Sequence, residues 1–281
     1  MNGGFPAKAI RALAAIFACL TLCQSTTALA QNSGMWPGGH KAAIVLTYDD
    51  SLRSQLDVAV PQLAEFGFHG TFFLNATFPP ADVARWRAAA AAGHELGNHS
   101  LVHPCPAAAF AMEPQNQTER YSVQGMLREI GAMNTLLTAI DGELAHTYAV
   151  PCSQTIVGGK DYIEALRASG LVRYVRSGVP RDAVIADPGA VDRFRVPSRS
   201  FPENATAEDL IALVEEVRRT GGMGVFMFHG VGGDYQSVSA EAHRGLLRYL
   251  RAHSAEIWVA PFMEVMDATS KHRADGLLTP N

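Results

Sequence analysis

Short apolar runs alternate with longer amphipathic stretches along most of this chain. The runs are rich in β-branched and aromatic residues, as buried strands are, and the stretches between them have helical periodicity. The pattern predicts strands at Ala42–Thr47, Gly70–Leu74, His94–Gly97, His146–Val150, Leu171–Val175, Gly224–Phe228 and Ile257–Ala260. It predicts helices near 54–66, 81–92, 120–140, 160–169, 206–219, 238–253 and 261–269.

Strands that alternate with helices favour an α/β protein with a parallel sheet. Seven predicted strands in a chain of this length suit a (β/α) barrel, complete or incomplete, better than an open doubly wound sheet, which is the alternative. Residues 31–281 contain neither an internal repeat nor a change of composition that would mark a linker. We therefore expect one domain over 31–281.

Residues 1–30 have the layout of a secretory signal peptide. Lys8 and Arg11 precede an apolar stretch, Ala12–Cys23, and small residues at Ala28 and Ala30 suit a cleavage site. The apolar stretch is shorter than the roughly 20 residues of a membrane span. An uncleaved anchor is the alternative. The sequence therefore predicts an exported protein, periplasmic or secreted, with no membrane span after cleavage.

Composition and charge narrow the choice of partners. The 281 residues are 48% hydrophobic and 18% charged, with a net charge of −4, and Lys and Arg form no basic run. Nucleic-acid binding depends on neutralising phosphates, so we expect no nucleic-acid partner. The oligomeric state is left open.

Of the four cysteines, Cys105 and Cys152 follow the predicted cleavage site, and we expect a disulfide between them in an oxidising compartment. Two unpaired, buried thiols are the alternative.

Polar residues collect where predicted strands end, which is where active sites lie in (β/α) barrels. Asp49 and Asp50 follow the first strand, His99 and His103 follow the third, and His229 follows the sixth. Adjacent carboxylates at a strand end can serve two tasks, one binding a cation and the other accepting a proton. An exposed turn is the alternative for this pair.

The spacing of His99 and His103 places both imidazoles on one face if they lie on a helical turn. Two histidines and a carboxylate are a common ligand set for catalytic zinc. His229 comes directly after an apolar run. A lone histidine there is often a core residue, but Gly230 and Gly232 indicate an exposed loop.

The chain resembles the NodB-type polysaccharide deacetylases, carbohydrate esterase family 4. The resemblance is carried by LTYDD at 46–50, GTFFL at 70–74, GHELGNHSLVH at 93–103 and FMFHG at 226–230. It spans roughly 42–268 and implies a distorted (β/α) barrel. It also implies that Asp50, His99 and His103 bind a divalent metal, usually zinc.

By the same resemblance, Asp49 is the catalytic base and His229 the general acid. A backbone N–H from the segment Tyr148–Ser153, after the fourth strand, completes the site by holding the oxyanion. Tyr48 stands where Phe is more frequent, a difference expected to matter little.

The segment after the fourth strand departs from the family pattern. Many members carry an Arg two residues before its proline, facing the catalytic Asp, and here that residue is Ala149. Arg199 is predicted to orient Asp49 instead, with Arg195 as the next choice. Exposed surface charges are the alternative for both. Tyr235 is the aromatic residue expected to be most exposed near His229.

These observations predict a metal-dependent hydrolase that removes acetyl groups, as N-acetyl amide or O-acetyl ester, from a polysaccharide. A hydrolase of small cyclic or linear amides on the same fold is one alternative. A catalytically silent carbohydrate-binding protein is another.

Overall fold

A computed structural model describes residues 1–3, 36–109, 112–178 and 184–278, with side chains as far as residue 270. The chain divides into two compact units, Met1–Asn32 and Ser33–Asn281, and the description below concerns the second. Apart from residues 1–3, the predicted signal peptide lies outside the described residues. In the described part, no helix combines the length and the apolar character that crossing a membrane requires.

The strands are β1 Ala42–Asp49, β2 Thr71–Leu74, β3 Glu95–Asn98, β4 Tyr148–Ala149, β5 Ile156–Val157, β6 Lys160–Asp161, β7 Val175–Arg176, β8 Val184–Ile185, β9 Arg199–Ser200, β10 Met223–Phe228 and β11 Ile257–Val259. The α-helices are α1 Val60–Phe66, α2 Val83–Ala91, α3 Val123–Asp141, α4 Ile163–Ser169, α5 Ala207–Thr220, α6 Ala240–Ala252 and α7 Phe262–Leu278. A π-helical turn, Gln55–Ala59, leads directly into α1.

The main sheet is mostly parallel and runs in the order β7-β4-β3-β2-β1-β10-β8. Strand β11 pairs with the first half of β1, and only β8 is antiparallel to its neighbour. The segment 193–200 runs between the two ends of the sheet, because Val196 bridges Arg176 of β7 and strand β9 pairs with β10. The sheet is therefore curled, and the predicted distorted barrel is confirmed over the open alternative.

Each of the seven predicted strands overlaps an observed one, and each predicted helix overlaps one of α1 to α7. The four additional strands, β5, β6, β8 and β9, have two residues each. Strands this short lack a hydrophobic period, which is why the sequence pattern does not reveal them.

Strand β1 is buried along its whole length, and its side chains alternate between two cores. Ile44, Leu46 and Tyr48 join the core beneath helices α1, α5 and α6. Ala43 and Val45 join the core inside the curled sheet, together with residues of β10 and α7. The same alternation places Asp49, two residues after Thr47, on the inner side of the sheet at the end of β1.

Tyr48 is anchored in the outer core by a buried hydrogen-bonded chain. Gln62 donates its amide N–H to Ala240 O at 3.0 Å, so its Oε1 accepts from His243 Nδ1 at 2.7 Å. His243 Nε2 then accepts from the Tyr48 hydroxyl, also at 2.7 Å. Burial lowers the pKa of His243 to about 3, so the ring is neutral and suited to this role. The hydroxyl at position 48 is therefore structural.

We predict that Tyr48→Phe lowers the free energy of unfolding by about 1–3 kcal/mol, because it leaves the buried Nε2 of His243 without a donor. Urea denaturation at neutral pH measures the change. Tyr249→Phe is the matched control, because it keeps the partly buried ring and removes a hydroxyl that bonds the half-exposed carboxylate of Glu215, and it should change stability by less than about 0.5 kcal/mol. Equal stabilities for Tyr48→Phe and the wild type would contradict this role.

Candidate active site

Strained backbone marks one end of the curled sheet. In the described part of the chain, the non-glycine residues with positive φ all lie in segments that follow β1, β3, β4 and β10. They are Asp50, Ser51, Ser100, His103, Cys152, Ser153, Asp234 and Gln236. Each such residue costs free energy, and clusters of them are typical of functional sites. The site is therefore sought at the carboxyl ends of these strands.

Asp49 is a buried carboxylate, 2% exposed, held by a buried arginine. Arg176, at the end of β7 and 1% exposed, donates from Nη2 to Asp49 Oδ2 at 2.5 Å and from Nη1 to Thr47 Oγ1 at 3.1 Å. Its guanidinium lies over the ring of Phe73. Among the described residues, the other carboxylate oxygen, Oδ1 of Asp49, has no hydrogen-bond partner. Asp49 is thus oriented through one oxygen, and the other is left to accept a proton.

Asp50, His99 and His103 bring three ligand atoms together. Asp50 Oδ1 lies 3.4 Å from His99 Nε2 and 3.2 Å from His103 Nε2, and the two imidazole nitrogens are 3.2 Å apart. Atoms that share a tetrahedral zinc ion at about 2.0–2.1 Å are separated by roughly 3.3 Å. The three residues therefore fit a single small divalent cation.

The protonation of these groups also suits a cation. His99 Nδ1 donates to Ala149 O at 2.8 Å, which leaves Nε2 as the free ligand nitrogen. Burial, together with repulsion from His99, lowers the pKa of His103 to about 4, so its ring is neutral at neutral pH. Burial opposes the ionisation of Asp50, but His99, His103 and His229 outweigh it and lower its pKa. Metal ligands require neutral imidazoles and ionised carboxylates.

A non-helical turn, and not a helical one, brings the side chains of His99 and His103 together. Residues 99–103 are not helical, and Ser100 and His103 have φ values of 59° and 55°. Asn98 Oδ1 accepts from Ser100 N, and Ser100 Oγ accepts from His103 N. This turn brings the imidazoles together through side-chain to backbone bonds, which residue spacing does not predict.

His229 and Tyr235 complete the wall of a cavity of about 760 Å³ that also contains both aspartates and both ligand histidines. His229 Nε2 lies 3.7 Å from Asp50 Oδ2, and the Tyr235 hydroxyl donates to the same oxygen at 2.7 Å. Burial and the Asp50 charge raise the pKa of Tyr235 well above its ordinary value. Gln55 donates its amide to the main-chain oxygens of Asp49 and His229, joining the two strand ends.

The structure does not bring Arg199 or Arg195 to Asp49. Arg199 lies on β9 and pairs with Glu216 at 3.3 Å, while Arg195 pairs with Asp161 at 2.8 Å, and both side chains are partly exposed. The contact predicted for Arg199 is made by Arg176, because β7 ends inside the barrel whereas β9 directs residue 199 outward to α5. Arg176 directly follows the predicted strand Leu171–Val175. The search for polar residues at the ends of predicted strands, which selected Asp49, therefore also selects Arg176.

A disulfide joins Cys105 to Cys152, with their Cα atoms 5.7 Å apart. Cys105 is two residues after His103, and Cys152 lies in the turn after β4. The bridge therefore connects the turn that carries a candidate metal ligand to the segment predicted to hold an oxyanion. Both cysteines line the cavity, and Cys105 Sγ lies 3.4 Å from His103 Nδ1.

His94, within the GHELGNHSLVH segment, lies at the start of β3, away from the cavity. It is 6% exposed, accepts from Gly70 N at 3.1 Å and packs edge-on against Phe72. These contacts give His94 a packing role.

The fold and the site together define a curled (β/α) barrel with a carboxylate–imidazole cluster at the carboxyl ends of its strands. Residues 38–172, which include Asp49, Asp50, His99 and His103, match the family model described as polysaccharide deacetylase. This segment is just under half of the chain, and through it the chain is similar to the polysaccharide deacetylase family.

Among curated proteins, a gellan lyase from a Bacillus species is 27% identical over 139 residues, which are 49% of this chain. The match spans only 5% of that relative's length.

Several solved structures are similar to this chain, among them the following three. The peptidoglycan deacetylase PdaC from Bacillus subtilis is 18% identical, with a TM-score of 0.54 over 84% of this chain and 95% of that one. The catalytic domain of a peptidoglycan N-acetylglucosamine deacetylase from Eubacterium rectale is 18% identical, with a TM-score of 0.52 over 79% and 88%. A family 4 acetyl xylan esterase from Clostridium thermocellum, solved with a cobalt ion, is 17% identical, with a TM-score of 0.51 over 80% and 90%. This likeness establishes the fold.

We predict that Arg176→Gln lowers the free energy of unfolding by about 3–5 kcal/mol, because it leaves the Asp49 charge buried without its partner. Arg199→Gln is the matched control, since it removes a partly exposed pair worth no more than about 1 kcal/mol. Urea denaturation of both variants at pH 7 gives the comparison. If both variants lose the same free energy of unfolding, the buried pair of Arg176 and Asp49 does not stabilise the fold more than the exposed pair of Arg199.

We predict that replacing Cys105 and Cys152 together by serine lowers the free energy of unfolding by about 2–4 kcal/mol. The bridge closes a span of 47 residues, and its loss gives the unfolded chain more freedom. Thermal and urea denaturation measure the change, with reductant-treated wild type as the second arm. Two reactive thiols in the untreated protein, or a variant as stable as the wild type, would refute the role assigned to the bridge.

Proposed function

We propose that this protein is a metal-dependent hydrolase that removes acetyl groups from a polysaccharide. The observation that carries the proposal is the cluster of Asp50, His99 and His103 ligand atoms beside Asp49, whose Oδ2 lies 3.8 Å from His99 Nε2 and whose Oδ1 has no hydrogen-bond partner among the described residues. The match to the family model over residues 38–172 and the names of the similar structures, which include deacetylases of peptidoglycan and an acetyl xylan esterase, support it.

Asp50, His99 and His103 would hold the cation. A set of two imidazoles and one carboxylate is typical of catalytic zinc, so we propose zinc. The chemistry that such an ion supplies is Lewis acidity, which makes a water more acidic and a carbonyl more electrophilic. Asp50 Oδ1 and the two Nε2 atoms would supply three protein ligands, the number that catalytic zinc sites usually have.

Asp49 acts as the general base. Asp49 lines the same cavity as the ligand cluster, and its Oδ1, which has no hydrogen-bond partner among the described residues, would accept a proton from the attacking water. Arg176 fixes the carboxylate through its bond to Oδ2, and Thr47 holds the arginine in turn. The proton therefore moves to an oxygen whose position is set before the substrate arrives.

His229 acts as the general acid, on the opposite side of Asp50 from His103. Its Nε2 faces the cavity and lies 3.7 Å from Asp50 Oδ2, too far for a hydrogen bond that would hold the ring away from a substrate. The ring can then donate a proton to the leaving nitrogen or oxygen of the sugar.

The turn after β4 supplies the donor for the developing oxyanion. Val150 N donates to Arg176 O, Ser153 N donates to Val150 O, and Pro151 has no N–H. Cys152 N–H is the remaining donor of the turn, and the disulfide fixes the residue that carries it. A fixed donor at the site of developing charge stabilises the transition state of acyl transfer.

The disulfide also supports an exported location. Stable disulfides are typical of secreted and periplasmic proteins and rare in the cytosol. Polysaccharides that carry acetyl groups on the cell surface or outside the cell would be accessible there.

The test is acetate release by zinc-loaded protein from an N-acetylated chitin oligomer, peptidoglycan and O-acetylated xylan. We expect release from at least one of the three and its loss on chelation. Asp49→Asn should lower kcat by about 10²–10⁴-fold, because the water loses its general base. Arg199→Gln, away from the cavity, is the control and should keep the wild-type rate.

Activity that survives chelation, or an Asp49→Asn variant with the wild-type rate, would refute the mechanism. Binding to these glycans without acetate release would instead favour a silent carbohydrate-binding protein. Turnover confined to small amides would favour the amide-hydrolase alternative. The ratio of rates on chitin oligomer and xylan assigns the preference for amide or ester.

A further inference from the structure

Tyr235 lies in a loop that is built to hold it in one place. Its neighbours Asp234 and Gln236 have φ values of 63° and 46°, a conformation that costs free energy in non-glycine residues. The loop is pinned to the segment after β1, because Asp234 Oδ2 accepts from Ser54 N at 2.7 Å. It is also closed on itself, since Gly230 N donates to Tyr235 O.

The loop directs the Tyr235 hydroxyl onto a ligand carboxylate. The hydroxyl donates to Asp50 Oδ2 at 2.7 Å, although half of the residue is exposed. The ring also contacts that of His229, with the two ring centroids 6.2 Å apart. The bond to Asp50 fixes the hydroxyl end of this half-exposed side chain.

The bond divides the two oxygens of Asp50 between different tasks. Oδ1 faces the ligand nitrogens of His99 and His103 and receives a long contact from Asn75 Nδ2 at 3.4 Å. Oδ2 is occupied by Tyr235. A carboxylate whose second oxygen is free can rotate or bind a cation through both oxygens, which would fill a coordination position that substrate and water need.

We propose that Tyr235 is a positioning residue that restricts Asp50 to binding the cation through Oδ1 alone. The inference rests on the proposed metal site. The bond also occupies the oxygen that is nearest to His229 Nε2, so that the acid ring is kept free to face the substrate. Tyr235 therefore acts through Asp50 on both the ligand set and the general acid.

Tyr235→Phe tests the proposal because it removes the hydroxyl and keeps the ring. Zinc titration of the metal-free full chain should show a dissociation constant raised by about 10–100-fold, the usual effect of losing an outer partner of a ligand. In the cobalt-substituted variant, the visible absorption should weaken, since cobalt absorbs less when its coordination number rises. With a glycan substrate, kcat should fall while KM stays close to the wild-type value.

Tyr249→Phe is the matched control, because it removes a tyrosine hydroxyl from α6 that donates to Glu215. It should leave zinc affinity, cobalt absorption and kcat at the wild-type values. The unfolding temperature of metal-free Tyr235→Phe checks that the variant is folded at the temperature of the zinc titration, so that a weaker affinity reports positioning and not unfolding.

A Tyr235→Phe variant that binds zinc as tightly as the wild type and keeps its cobalt spectrum would overturn the proposal. If the proposed function is wrong, the wild type binds zinc yet releases no acetate from any glycan. The zinc affinities of the wild type and of Tyr235→Phe then still decide the role of Tyr235.

Discussion

The buried ion pair between Arg176 and Asp49 is the interaction on which the arrangement of the site depends. A carboxylate in the interior of the curled sheet is costly unless a partner compensates its charge. Strand β7 supplies the arginine from the far end of the strand order, on the other side of β2, β3 and β4. The curl of the sheet brings the two strand ends together, and the pair then fixes the end of β1 that also carries Asp50.

The surrounding segments accept strain so that their side chains converge. Positive φ at Asp50, His103 and Cys152 turns the chain back toward the cavity after three different strands. The inward-facing core beneath them is fully packed, with Val45, Phe73 and Val225 excluded from solvent. A rigid base of this kind can hold strained turns, because the free energy of packing is shared by the whole barrel. The disulfide adds a covalent link between two of these turns.

Much of the site follows from local sequence. The alternation of β1 directs Asp49 inward, and strand ends in a parallel sheet share one edge, which is why the order of residues alone groups Asp50, His99, His103 and His229. Arg199 was a wrong choice for the partner of Asp49. Two-residue strands carry no periodicity, so the sequence does not tell which of β7 and β9 points its arginine inward. The spacing of His99 and His103 would likewise bring them together on a helical turn, whereas hydrogen bonds to Asn98 and Ser100 impose a different turn.

The sequence by itself determined the alternating strands and helices and the residue types gathered at the strand ends. These properties depend on the order of apolar and polar residues, which is local information. Only the tertiary structure decided that Arg176 reaches Asp49, that the hydroxyl of Tyr48 meets His243, and that Tyr235 bonds to Asp50. Each of these contacts joins residues more than one hundred positions apart. Their partners are set by the closure of the sheet and by charges and hydrogen bonds that must be satisfied once buried.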